Sequence, residues 1–202
     1  MPIPQTLYTQ LQSLYAEISD ICSSIFIGGS EGYGVIRNPH DIDLIFCVPS
    51  YREKQIVREK IKQLSLTDGS DKRIHTMIMT KSHWNDLESG ANNKLQLLVF
   101  NHTEALFGTD DPKDYQIDIF KHKQRYLDVM RLGLGIINLG YHNEGHVRKY
   151  LYRILMFIYF YQNNSYDLTE EQIDNINVVH DGDDTEKCVE LLEWANSEFL
   201  KL

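Results

Sequence analysis

Apolar residues recur at helical spacing from the start of the chain. Leu7, Leu11, Leu14, Ile18 and Ile21 predict an amphipathic helix over residues 4 to 22. The period then changes. Ile25-Phe26-Ile27 is a short, unbroken apolar run stopped by Gly28-Gly29, the pattern of a buried strand. Residues 30 to 40 carry Gly32, Gly34 and Pro39 and read as a loop, and Ile42 to Val48 is apolar and β-rich, a second strand. From Tyr51 to Leu64, Ile56, Val57, Ile61 and Leu64 are spaced among charges, which suits a surface helix. Arg73 to Thr80 reads as a third strand with His75, Met77 and Met79 on one side. Helix, strand, loop, strand, helix, strand predicts an α/β (α+β) beginning on a small mixed sheet.

After Asp110-Asp111-Pro112 the pattern becomes helical throughout. Phe120 to Leu139 and Glu144 to Gln162 are long helical patterns separated by Gly140 and a short polar turn. A third helix begins at Thr169, where Thr169 and Gln172 form a capping-box pair, and a last one runs from Asp184 to Leu200. The sequence therefore predicts a sheet-bearing domain over residues 1 to 115 and a helical domain over 116 to 202.

Composition adds limits. A length of 202 residues suits one domain, or one with a helical appendage, and 42% hydrophobic with 24% charged residues is ordinary for a globular protein. Three widely spaced cysteines give neither a disulfide frame nor a C-x-x-C clip. The start MPIPQTLYTQ lacks a signal-peptide pattern, and the longest apolar stretch, Ile154 to Tyr161, is too short to span a bilayer. The expectation is a cytoplasmic protein with no membrane partner. The net charge of −9 is unevenly distributed: Asn164 to Leu202 holds 11 acidic and 2 basic residues, and the rest of the chain balances. Lys121 to Arg153 is locally basic, so overall acidity does not exclude a nucleotide or RNA ligand.

Candidate chemistry concentrates between Gly28 and Asp43. In Asp-x-Asp on a strand, side chains two apart project from one face, so Asp41 and Asp43 point together. Paired carboxylates of this kind hold the divalent ions that phosphoryl transfer uses to neutralise phosphate charge. The Gly28-Gly29-Ser30 turn leaves backbone N–H groups bare beside them, and the Ser30 hydroxyl adds a donor for phosphate oxygens. Arg37 and His40 bring positive charge into the same loop.

Gly29-Ser30, ten residues, then Asp41-x-Asp43 is similar to the signature of minimal nucleotidyltransferases of the polymerase-β superfamily. Tyr33-Gly34 after the Gly-Ser pair, and Pro39 shortly before Asp41, resemble the RNA-repair-associated and phage-encoded group of predicted nucleotidyltransferases. Weaker likenesses to that group follow in Lys94 to Gly108, in Arg148 to Arg153 and in Asp181-Gly182.

The resemblance implies transfer of a nucleoside monophosphate from an NTP, expected to be ATP, to an acceptor hydroxyl, with Mg²⁺ or Mn²⁺ and release of pyrophosphate. An RNA or tRNA end is the acceptor it favours. Asp41 and Asp43 would be the catalytic metal ligands; Gly29, Ser30, Gly34, Arg37 and Arg153 would bind the nucleotide. The superfamily usually has a third carboxylate on the next strand, where this sequence has His75, with Asp68, Asp71 and Glu104 as other candidates. Histidine suits Mn²⁺ better than the oxygen-preferring Mg²⁺. Two alternatives stand beside this reading. One is transfer to a small molecule or a protein side chain; the other is a nucleotide-binding module that has lost catalysis.

Overall fold

The computed structural model describes residues 3–29, 34–37, 41–69, 72–80, 105–111, 114, 118–140 and 144–202. Four strands and six helices lie among them: α1 (Gln5–Ile18), β1 (Ser24–Gly28), β2 (Asp41–Val48), α2 (Tyr51–Gln63), β3 (Arg73–Thr80), β4 (Phe107–Gly108), α3 (Lys123–Asn138), α4 (Glu144–Asn163), α5 (Glu170–Asp181) and α6 (Thr185–Phe199). They form two compact units. The first comprises residues 1–34, 39–92 and 96–117; the second comprises residues 35–38, 93–95 and 118–202.

In the first unit the strands form one mixed sheet in the order β3-β2-β1-β4. β1 pairs antiparallel with β2 and β4, whereas β2 and β3 are parallel. Parallel strands require a crossover, and α2 supplies it. Leu7, Leu11, Leu14 and Ile18 of α1 and Val57 of α2 are buried in one cluster with Ile42, Leu44, Phe46 and Val48, the alternate residues of β2. That alternation fixes the register, because a slip of one residue would turn Asp41 and Asp43 into the apolar cluster.

Two helix ends differ from the sequence expectation by more than one residue. α1 stops at Ile18 instead of continuing to residue 22, because the Ile18 carbonyl accepts both the Ile21 and Cys22 N–H groups in a closing turn. The helix expected from Phe120 starts at Lys123, since the Asp118 carboxylate accepts the Phe120 and Lys121 N–H groups and holds a separate turn there.

In the second unit α4 is apolar along most of its length and buried from Ile154 to Phe160. Around it the buried faces of α3, α5 and α6 contribute Tyr126, Met130, Ile176, Val179, Leu191 and Ala195. Thr169 and Gln172 form the complete reciprocal capping box at the start of α5, and Gly182 closes that helix at φ 73°. Among the described residues no helix is long and apolar enough to cross a membrane.

Candidate active site

β1 and β2 bring the glycine turn and the aspartates together. Their antiparallel register sets Gly28 opposite Asp43, and the chain turns immediately afterwards at Gly29 with φ 60°. Gly29 lies so close over Asp43 that a Cβ at position 29 would overlap the carboxylate. The second aspartate, Asp41, occupies the same face of β2, two residues earlier. Asp41 and Asp43 are partly exposed, at 29% and 33% of their side-chain area, so both carboxylates remain reachable from solvent.

The neighbouring parallel strand contributes His75, which stands opposite Asp43 in the β2–β3 ladder. Its Nδ1 lies 3.4 Å from Asp41 Oδ2 and 3.4 Å from Asp43 Oδ1. One imidazole nitrogen is thus equidistant from two carboxylates, a cation-seeking arrangement with His75 itself 54% exposed.

The donor set differs from a self-sufficient metal cage. Among the described residues no group of three or more His, Cys, Asp and Glu side chains is disposed to hold a metal ion. Two carboxylates on one face do fit a Mg²⁺ that arrives with a nucleotide, because that ion keeps several waters and takes its remaining ligands from substrate phosphates. Asp68, another acid considered from the sequence, is 6% exposed in the α2–β3 connection, where Thr67 N–H donates to Gln10 of α1. Ser30, Tyr33, Pro39, His40, Asp71, Glu104 and the segment from Lys94 to Glu104 lie outside the described residues.

The remaining sequence candidates belong to different surroundings. Gly34 has φ 67° and open space where a Cβ would be. Arg37 belongs to the helical unit, where its guanidinium meets Asp174 at 2.5 Å and Glu170 at 4.0 Å, both on α5. Arg153 is partly buried on α4, its guanidinium 5.8 Å from the Tyr152 ring centroid.

Asn177 carries no motif in the sequence, yet it binds the backbone of residues 35 and 37. Its Oδ1 accepts the Arg37 N–H at 2.8 Å, and its Nδ2 donates to the carbonyls of Val35 and Ile173, each at 2.8 Å. An asparagine only 5% exposed on an amphipathic helix signals such a role, because a buried amide needs partners. Its burial was not legible from spacing alone.

No family model and no curated protein matches the sequence. Among solved structures the chain is similar to spectinomycin adenyltransferase AAD(9) from Enterococcus faecialis, crystallised with ATP and spectinomycin. The TM-score is 0.56 at 12% identity, over 97% of this chain and 99% of that one. At that identity the likeness is one of fold.

Proposed function

We propose that this chain is a nucleotidyltransferase that moves a nucleoside monophosphate from Mg²⁺- or Mn²⁺-bound ATP to an acceptor hydroxyl. One observation carries the reading: Gly29 turns directly over the Asp43 carboxylate, with Asp41 beside it on the same strand face. Backbone donors for phosphate and oxygen ligands for its metal then meet at one point. The fold likeness to a protein crystallised with ATP supports the choice of donor.

In the proposed reaction the acceptor oxygen attacks the α-phosphorus, and the bond from that phosphorus to the bridging oxygen of the β-phosphate breaks. Pyrophosphate leaves, and the hydroxyl proton passes to solvent or to a neighbouring base. Bound to the nucleotide, the divalent ion supplies charge neutralisation at the phosphates. Asp41 and Asp43 would hold that ion, while Gly29 and Ser30 would bind the triphosphate. His75 stands beside both aspartates, with Nδ1 3.4 Å from each carboxylate.

The acceptor has two arms to test. Motif resemblance favours an RNA end. Fold likeness to a spectinomycin adenyltransferase, together with the acidic C-terminal stretch, favours a small molecule. A second reading, nucleotide binding without transfer, is favoured by the motif resemblance, which implies a third carboxylate at the position of His75.

The test is pyrophosphate release and label transfer from α-labelled ATP with Mg²⁺ or Mn²⁺. Acceptors would be RNA with a free 3′ hydroxyl, tRNA, spectinomycin and protein. Metal-dependent release with one class, absent from Asp41→Asn, is the expected result. ATP binding without release from any acceptor would replace transfer by the binding-module reading, and absence of nucleotide binding would overturn both.

A further inference from the structure

The first unit carries a second feature with ligand chemistry, away from the aspartate pair. α2 presents Tyr51, Lys54, Arg58 and Lys62 at spacings of three, four and four, which places all four on one stripe of the helix. Lys54, Arg58 and Lys62 line an open groove of about 400 Å³ whose other wall includes Thr76 and Ile78 of β3. No carboxylate is among the described residues of that lining. The cations have only modest partners. Lys62 meets Glu59 at 2.9 Å, Arg58 meets the neutral Gln55 at 3.3 Å, and Lys54 stands 5.6 Å from the Tyr51 ring centroid. Partial burial, and then the charge of Arg58, lower the pKa of Lys54; Glu59 offsets Lys62, whereas Lys54 and Arg58 contact an aromatic ring and a neutral amide.

The arrangement is linear. From Lys54 to Lys62 the helix rises roughly 12 Å, at about 1.5 Å per residue. Small anions are held by cations that converge on a point, whereas an extended polyanion is held by cations spaced along a line. Tyr51, 67% exposed at one end of the row, adds a ring on which a base can stack.

As the crossover between parallel strands, α2 runs antiparallel to them. Lys62 therefore lies at the end of the sheet where β2 and β3 begin, and Tyr51 at the far end. β3 is the edge strand of the sheet and lines the groove with consecutive residues, Thr76 to Met79, so the groove runs along that edge; Asp41, Asp43 and His75 do not line it.

We propose that this groove is a docking track for the sugar–phosphate backbone of a single-stranded nucleic acid, separate from the transfer site. The inference does not depend on the transfer reading. Binding is measured by fluorescence anisotropy with a labelled oligo-dT and oligo-U of about 12 nucleotides, a length within the usual range for such grooves.

Saturable binding at low salt is expected, with a log–log salt slope of about −2 for three phosphates neutralised on a single strand. The triple variant Lys54→Ala/Arg58→Ala/Lys62→Ala should weaken it by about ten-fold or more. Tyr51→Ala should weaken it roughly five-fold or more. Lys60→Ala, on the opposite face of α2 where Lys60 pairs with Glu17, should leave affinity within about two-fold, as should Asp41→Asn.

No binding at low salt, or an unchanged triple variant, overturns the proposal. Loss of binding in Asp41→Asn would move the strand to the aspartate site and overturn it too. A duplex that binds more tightly than the single strand, or inorganic polyphosphate that competes equally while Tyr51→Ala has no effect, would sink the single-strand assignment.

Discussion

Glycine is imposed at position 29 by two independent constraints. The backbone there is left-handed, at φ 60°, and any Cβ would overlap the Asp43 carboxylate. Gly29→Ala should therefore lower both melting temperature and nucleotide affinity, the second by displacing Asp43; unchanged ATP affinity would separate the turn from the site. Asp41→Asn and Asp43→Asn each remove one charge from the proposed metal clamp and should reduce turnover by about 10²-fold or more. Neither should lower the melting temperature, because each relieves repulsion between like charges on adjacent positions of one strand face. Turnover near that of the parent chain in either variant would refute the metal assignment. His75 is tested by substitution and metal together. With an oxygen ligand and a charge added beside the pair, His75→Asp should raise Mg²⁺-dependent turnover and narrow the advantage of Mn²⁺. No gain from His75→Asp and no loss from His75→Ala would make His75 a plain sheet residue.

At the scale of elements, α5 is held at both ends by interactions that can be removed singly. Thr169→Ala takes away the acceptor for the Gln172 N–H and should cost about 1 kcal/mol. Gly182→Ala should cost more, because φ 73° is unfavourable for alanine and the new Cβ would overlap Arg148, whose Nη1 donates to the Asp181 carbonyl. Denaturant midpoints of the two variants give that order directly; a reversed order would show that Arg148 moves aside at little cost.

The start of α5 was legible because a capping box is local, four residues long and chemically specific. β1 and β2 were legible as apolar runs bounded by glycine and polar stops. β4 was not: Phe107–Gly108 is two residues long, and no period can be read from two residues. The pairing of Asp43 with His75 in a parallel ladder depends on a crossover of more than twenty residues, which local pattern does not register. Arg37 shows the same limit, since its ion-pair partner Asp174 lies 137 positions away.

Across the whole molecule, buried acids decide the response to alkali. Burial pushes the Tyr126 and Tyr166 phenols to about 12, and it raises Tyr159 and Tyr161 as well, all in the helical unit. Burial likewise pushes the Cys22 thiol in the first unit to about 12. Each group keeps its proton in the folded state after the unfolded chain has lost it. Stability is therefore full below the ordinary pKa values, near 9 for the thiol and 10 for the phenols, and is lost as pH rises from there toward 12. Melting temperature should fall steadily over that interval, with phenolate absorbance lagging behind that of free tyrosine; a flat profile would contradict the burial of these groups.

The linkage of residues 35 and 37 to Asn177 has a consequence for how such a protein can be inherited. A genetic crossover near position 117 would leave the strap with one parent and its keeper with the other, since Asn177 binds backbone that is encoded some 140 codons upstream. Recombinants between divergent parents should survive when the short strap and α5 are exchanged together. The unit of inheritance is then discontinuous in the gene, although the helices that make up most of it are contiguous in the chain.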